Sequence, residues 1–174
     1  MDKAHTAIHE AGHAVAHVRL EIDHDGASIA PDPEKGRLGY ALGHGQEGVW
    51  DERSAENMVL AFCAGYAALI AVGCADNVAR CGANDDFEQA QELMVFWGLA
   101  GSLDTWQEKV VELMRQPENV AAVALVAKHL LQRKRLDGGV VDVLVEVADG
   151  HATEAEFERY LTMRRSIGQE EVEE

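Results

Sequence analysis

Near the start of the chain stand five residues whose types and spacing can do chemistry: His9-Glu10-Ala11-Gly12-His13. On an α-helix, positions four apart differ by about 40° in direction and about 6 Å in height, so two imidazoles can grip one metal ion. Glu10, turned about 100° from His9, can reach a water on that metal without being a ligand itself. The pattern predicts hydrolysis by a metal-activated water with a carboxylate general base. Chance is a weak rival. With 8 histidines in 174 residues, composition alone gives about 0.04 matches to His-Glu-x-x-His. His5 and His17 extend the four-residue spacing in both directions. Only His9 and His13 enclose the glutamate, so His5 and His17 are expected to be exposed or to support the ligands from behind.

The elements that must carry these residues can be read next. Residues 2–20 predict an amphipathic helix capped by Asp2, with Ala4, Ile8, Ala11, Val15 and Val18 on one buried face. Residues 23–48 predict two or three short strands around Ala27-Ser28-Ile29-Ala30 and Arg37-Leu38-Gly39-Tyr40-Ala41-Leu42. A long helix follows Asp51. It contains 18 uncharged residues, Met58 to Ala75, at the threshold of a membrane span. Six are Ala and two are Gly, which suits a central helix closely approached by its neighbours. Further helices are predicted from Asn84 or Asp85 to Trp97, over 103–116 and 118–135, and from the capping box Thr153-Glu154-Ala155-Glu156 to about Arg165. The valines of 140–147 favour a strand in a helical neighbourhood, so that stretch stays open. The fold class expected is mostly α with a small β-sheet (α+β), one domain over 1–168 and an acidic tail over 169–174.

Two histidines leave a catalytic zinc one protein ligand short. Asp85 and Asp86, at the start of a predicted helix, supply carboxylates, although acids in that position commonly serve as caps. Cys81 and the tryptophans Trp50, Trp97 and Trp106 read as packing residues first.

At this point the chain resembles the FtsH family of ATP-dependent zinc metalloproteases. His9-Glu10-Ala11-Gly12-His13-Ala14 is similar to the family's H-E-A-G-H-A, and Gly82-Ala83-Asn84-Asp85-Asp86-Phe87 to its G-A-S-N-D-L. Ile29-Ala30-Pro31, Leu38-Gly39-Tyr40, Met94 to Leu99 and Leu130 to Gly138 follow in the family's order, so the likeness runs over about residues 5–150. The resemblance implies a zincin-like helical peptidase domain. His9, His13 and Asp86 would bind Zn2+, Glu10 would act as general base, and the substrate would be an extended or unfolded polypeptide. Asp85, three residues before Glu88, is then expected to cap the helix. An added substrate strand is expected along Ser28, Ile29, Ala30 and Pro31.

The departures are specific. The family's G-R-A-A-E appears as Gly65-Tyr66-Ala67-Ala68-Leu69, losing an Arg and a Glu together. No phosphate-cradling G-x-x-x-x-G-K-[ST] occurs, and the ATPase module and membrane anchor of the family have no counterpart in the sequence. Gly43 to Gly48 spells G-x-G-x-x-G but lacks the βαβ setting of a dinucleotide site. A separate ATPase partner and a homo-oligomer are compatible with the resemblance. A catalytically silent metal-binding or interaction domain is the rival reading, and an acidic helical scaffold without metal is a third.

Charge narrows the partners. Fifteen Lys and Arg against 31 Asp and Glu leave a net charge of -16, which repels nucleic-acid backbones and anionic membranes. Three cysteines without C-x-x-C spacing and no signal-peptide pattern at Met1-Asp2-Lys3 predict a reduced, cytoplasmic setting.

Overall fold

The computed structural model describes residues 2–30, 40–43 and 51–167, with the side chains of 40–43 excepted. Helix α1 (Lys3–Arg19) begins where Asp2 accepts a hydrogen bond from the His5 amide. It is no surface helix with one wet face. Ala4 is exposed and Ile8 and Val18 are half-buried, whereas the stretch from Thr6 to His17 is buried on nearly every side. Helix α1 runs through the middle of the molecule, packed against α2 (Glu52–Ala71), α6 (Pro117–Arg133) and the sheet.

The alanine-rich composition of α2 is explained by its crossing with α1. A Cβ on Gly12 would stand 2.6 Å from the Ala64 carbonyl oxygen and 2.6 Å from Ala68 Cβ, so the two backbones touch. Glycine in a helix interior costs about 1 kcal/mol relative to alanine, and here the close approach takes that cost up. By length and composition α2 could cross a membrane, but most of it is buried among α1, α4 (Asn84–Trp97) and α5 (Leu103–Met114). Between α2 and α4 lies a one-turn helix, α3 (Asp76–Ala79), which periodicity does not resolve.

The sheet has three strands in the order β2-β1-β3, all neighbours antiparallel. Strand β1 (His24–Ser28) pairs with β2 (Tyr40–Gly43) on one side. On the other it pairs with β3 (Arg135–Asp137), a strand not predicted, whose first residue overlaps the end of the predicted helix 118–135. Lys134 adopts φ 67° and α6 ends at Arg133, two residues earlier than periodicity suggests, turning the chain into β3. Gly26, at φ 110°, lets the bulged β1 lie against β3, where a Cβ would meet the Leu136 carbonyl at 2.0 Å.

The segment expected to take a substrate strand begins at the end of β1. Ser28 is buried and pairs with Tyr40 on one side and Arg135 on the other, and the Ile29 amide donates to the Lys134 carbonyl at 2.7 Å. The Ala30 amide donates to Ser28 Oγ at 3.1 Å. β1 is the central strand, so Ser28 at its end has a strand partner on both sides, whereas Ile29 and Ala30 lie beyond it. Pro31, Arg37 to Gly39, His44 to Trp50 and the acidic tail lie outside the described residues.

The ambiguous valine run is helix α7 (Gly138–Ala148), capped by Asp137 accepting from the Val140 amide. Its buried residues Val140, Val141, Leu144 and Val145 repeat with helical period. A strand alternating through 140, 142 and 144 would place Asp142 among them, and packing against α6 and β1 overrides β-propensity. Helix α8 (Glu154–Ser166) starts with the full capping box of Thr153 and Glu156.

Candidate metal centre

His9 and His13 stand one turn apart on α1 with ring centroids 4.7 Å apart and planes at 77°. Asp86 reaches them from the first turn of α4. Its Oδ2 is 3.1 Å from His9 Nε2 and 3.4 Å from His13 Nε2, while the two Nε2 atoms are 3.1 Å apart. Among the described residues, these three form a group with donor atoms all within 4.8 Å of one another. The side chains are 5%, 10% and 21% exposed, so the cluster opens to solvent on the Asp86 side.

Carboxylate and imidazole donors in this number suit a divalent transition metal. One observation tests the fit directly. His13 Nδ1 lies 2.8 Å from the Ala61 carbonyl oxygen in a buried hydrogen bond. A carbonyl can only accept, so Nδ1 carries the proton and the neutral ring's lone pair sits on Nε2, facing His9 and Asp86. Ala61 escapes sequence reading because a backbone carbonyl has no side-chain signature.

Charge binds the cluster together. Burial would raise the Asp86 carboxyl, but the His13 and His9 rings outweigh it and hold the group well below the usual carboxylate range. Burial would lower His13, yet Asp86, Glu10 and the Ala61 bond raise it to about 9. Burial dominates at His9, which is lowered. Glu10 is buried on the same helix and close enough to favour charge on His13.

Asp86 is steadied through its neighbour. The Phe87 ring meets Tyr66 of α2 edge-on at 5.5 Å, and the Arg80 guanidinium lies over both rings, 5.2 Å from Tyr66 and 5.7 Å from Phe87. Asp76 of α3 accepts from Tyr66 Oη at 2.8 Å and from Arg80 Nε at 2.9 Å. Tyr66 stands where the resembled family has its arginine, and Arg80 with Asp76 supplies an ion pair of its own.

Several expectations need correction. Asp85 is not a cap: Ala83 is the N-cap residue, without a side-chain bond, and Asp85 sits exposed inside the first turn. Ala83 is chosen by burial against Tyr66, Leu69 and Ala79. Cys81 is exposed and lies outside the three-residue cluster, so it is no packing residue. The buried thiol near Asp86 is Cys63, pushed up to about 12 by burial and by the Asp86 charge. His17 is buried, not exposed, with its ring 5.8 Å from that of His24, whereas His5 is half-buried and paired with Asp2. Trp106, in contrast, is the packing residue expected, buried and donating to the Ala100 carbonyl.

No protein-family model matches the sequence, and no curated protein is significantly similar to it. The fold speaks for itself. It is a predominantly helical, zincin-like α+β arrangement with a His-Glu-x-x-His helix and a clustered metal-type triad, as in a peptidase-type domain.

Proposed function

We propose that the chain is a zinc-dependent endopeptidase domain, similar to the peptidase part of the FtsH family, acting on extended or unfolded polypeptides. The observation that carries this reading is the convergence of His9, His13 and Asp86 from two helices, beside a buried glutamate on the same turn. A bound zinc would polarise the scissile carbonyl and acidify a water in its open position. His9, His13 and Asp86 would hold it, with His13 oriented by Ala61. Glu10 would accept the water's proton and return it to the leaving amine. A site that only stabilises the fold has no use for that carboxylate, which favours the enzyme over the silent metal-binding module.

This sequence holds no nucleotide-cradling loop, so this domain supplies no ATP-driven unfolding itself, and its proposed substrates are already extended or are delivered by an ATPase. The free cysteines Cys63, Cys74 and Cys81 support a reducing, cytoplasmic setting. The test is metal analysis of the purified protein together with cleavage of casein, an unfolded protein. One equivalent of zinc and chelator-sensitive cleavage are expected. Zinc without turnover would leave the metal-binding module, and absence of both would sink the metal centre.

A further inference from the structure

α2 meets the metal centre through a residue that has no side chain. A Cβ built on Gly65 would stand 2.5 Å from His13 Nε2, 2.6 Å from His9 Cε1 and 2.7 Å from His9 Nδ1. These separations lie far inside van der Waals contact, where repulsion is steep. Backbone conformation does not demand glycine here, because Gly65 lies within the regular run of α2. Gly73, Gly98 and Gly150 differ: each has positive φ, and nothing lies within 4 Å of a Cβ. Their glycine serves a turn, whereas at Gly65 it serves space. The flanking Ala64, Ala67 and Ala68 show that α2 otherwise uses the better helix former.

The imidazoles have nowhere to retreat. His13 is fixed from behind by Ala61, itself on α2 and one turn before Gly65. His9 is held between His13 and Asp86, 3.1 Å from each. A methyl group at position 65 would have to displace one ring or push the two helices apart. The Gly12 contact with Ala64 and Ala68 shows those helices already touching.

We propose that Gly65 is a positioning residue of the metal centre: its missing side chain sets how closely α2 approaches His9 and His13, and so where their Nε2 atoms converge. The proposal rests on the metal-centre reading above and adds a residue that touches neither metal nor substrate.

The test uses the full chain with Gly65→Ala. Zinc affinity, measured by competition with a chromophoric chelator, should fall by about 10- to 100-fold, as when residues supporting metal ligands are lost. A second measurement isolates the cause. In chelator, Gly65→Ala should lower the melting temperature of the otherwise unaltered chain. In a His9→Ala/His13→Ala background the same change should leave it equal or higher, because the clashing atoms are gone and alanine favours the helix. Unchanged zinc affinity in Gly65→Ala, or the same melting loss in both backgrounds, overturns the proposal while the metal centre stands. If the unaltered chain binds no zinc, the metal-centre reading itself falls. If Gly65→Ala alone does not fold, recovery in the two-alanine background supports the proposal and failure to recover overturns it.

Discussion

His9 Nε2 and Asp86 Oδ2 lie 3.1 Å apart although 77 residues separate them in the chain. The contact joins α1, the most enclosed helix, to the first turn of α4. It makes Asp86, and not its neighbour, the carboxylate that completes the cluster. Asp86→Asn should therefore weaken zinc binding by at least about 100-fold and abolish cleavage, because a neutral amide oxygen replaces an anionic ligand. Asp85→Asn should stay within about 3-fold of the unaltered chain, since Asp85 is exposed and makes no cap. Zinc competition on both variants decides the register. Release of metal by Asp85→Asn alone would shift the ligand by one residue.

Glu10→Gln separates binding from chemistry. The amide keeps the carboxylate's shape but cannot take a proton, so zinc content should hold while cleavage falls by about 10²–10⁴. Full activity would remove Glu10 from the reaction, and loss of zinc would make it a ligand.

Much of this is legible in the sequence, and the reasons are physical. The metal-binding pair on α1 is an i, i+4 relationship, and caps such as Asp2 and Thr153 act within three residues, so local sequence reports them. Asp86 needed the family resemblance, because nothing local tells a ligand from a cap. The third strand was invisible: β3 has three residues, and its Leu136 pairs with Ala27 across more than a hundred positions. β3 also gives Ser28 a second partner, Arg135, which local sequence does not report. The burial of His17 has the same origin: tertiary packing encloses a polar residue on a helix whose pattern marks only one buried face.

The Arg19 guanidinium joins three elements, donating to both Asp149 oxygens at 2.6 Å and to Asn119 Oδ1 at 2.7 Å. Arg19→Ala should cost about 2 kcal/mol in urea unfolding, because mostly enclosed charge-assisted bonds are lost and Asp149 is left unpaired. Arg19→Lys should restore only part of this, since a point charge cannot span both oxygens. The guanidinium beside Asp149 holds its carboxyl below the ordinary value. This contribution is therefore present above about pH 4 and fades as pH falls through the lowered value. An Arg19→Ala chain as stable as the parent at pH 7 would contradict it.

His17 gives a second pH signature, of opposite origin. Burial, with the His13 and His24 charges, pushes its imidazole down to about 3. Unfolded, it titrates near pH 6.5, so below that pH the unfolded chain takes up a proton that the native state refuses. Stability should fall from about pH 6.5 downward, and His17→Leu should remove about 2 kcal/mol of the loss between pH 7 and pH 5. Urea unfolding in chelator at both pH values measures it. Parallel losses in the two chains would exclude His17 as the source.

Helix α1 is buried almost continuously from Thr6 to His17, whereas α4 buries only Ala90 and Met94 completely. Two of the three metal ligands thus stand on the part of the protein that opens last, and the third on a part that opens easily. Metal would act as a latch between a slow-exchanging and a fast-exchanging segment. Amide hydrogen exchange should show this as zinc-dependent protection gathered in α4, with α1 equally slow whether the metal is present or removed.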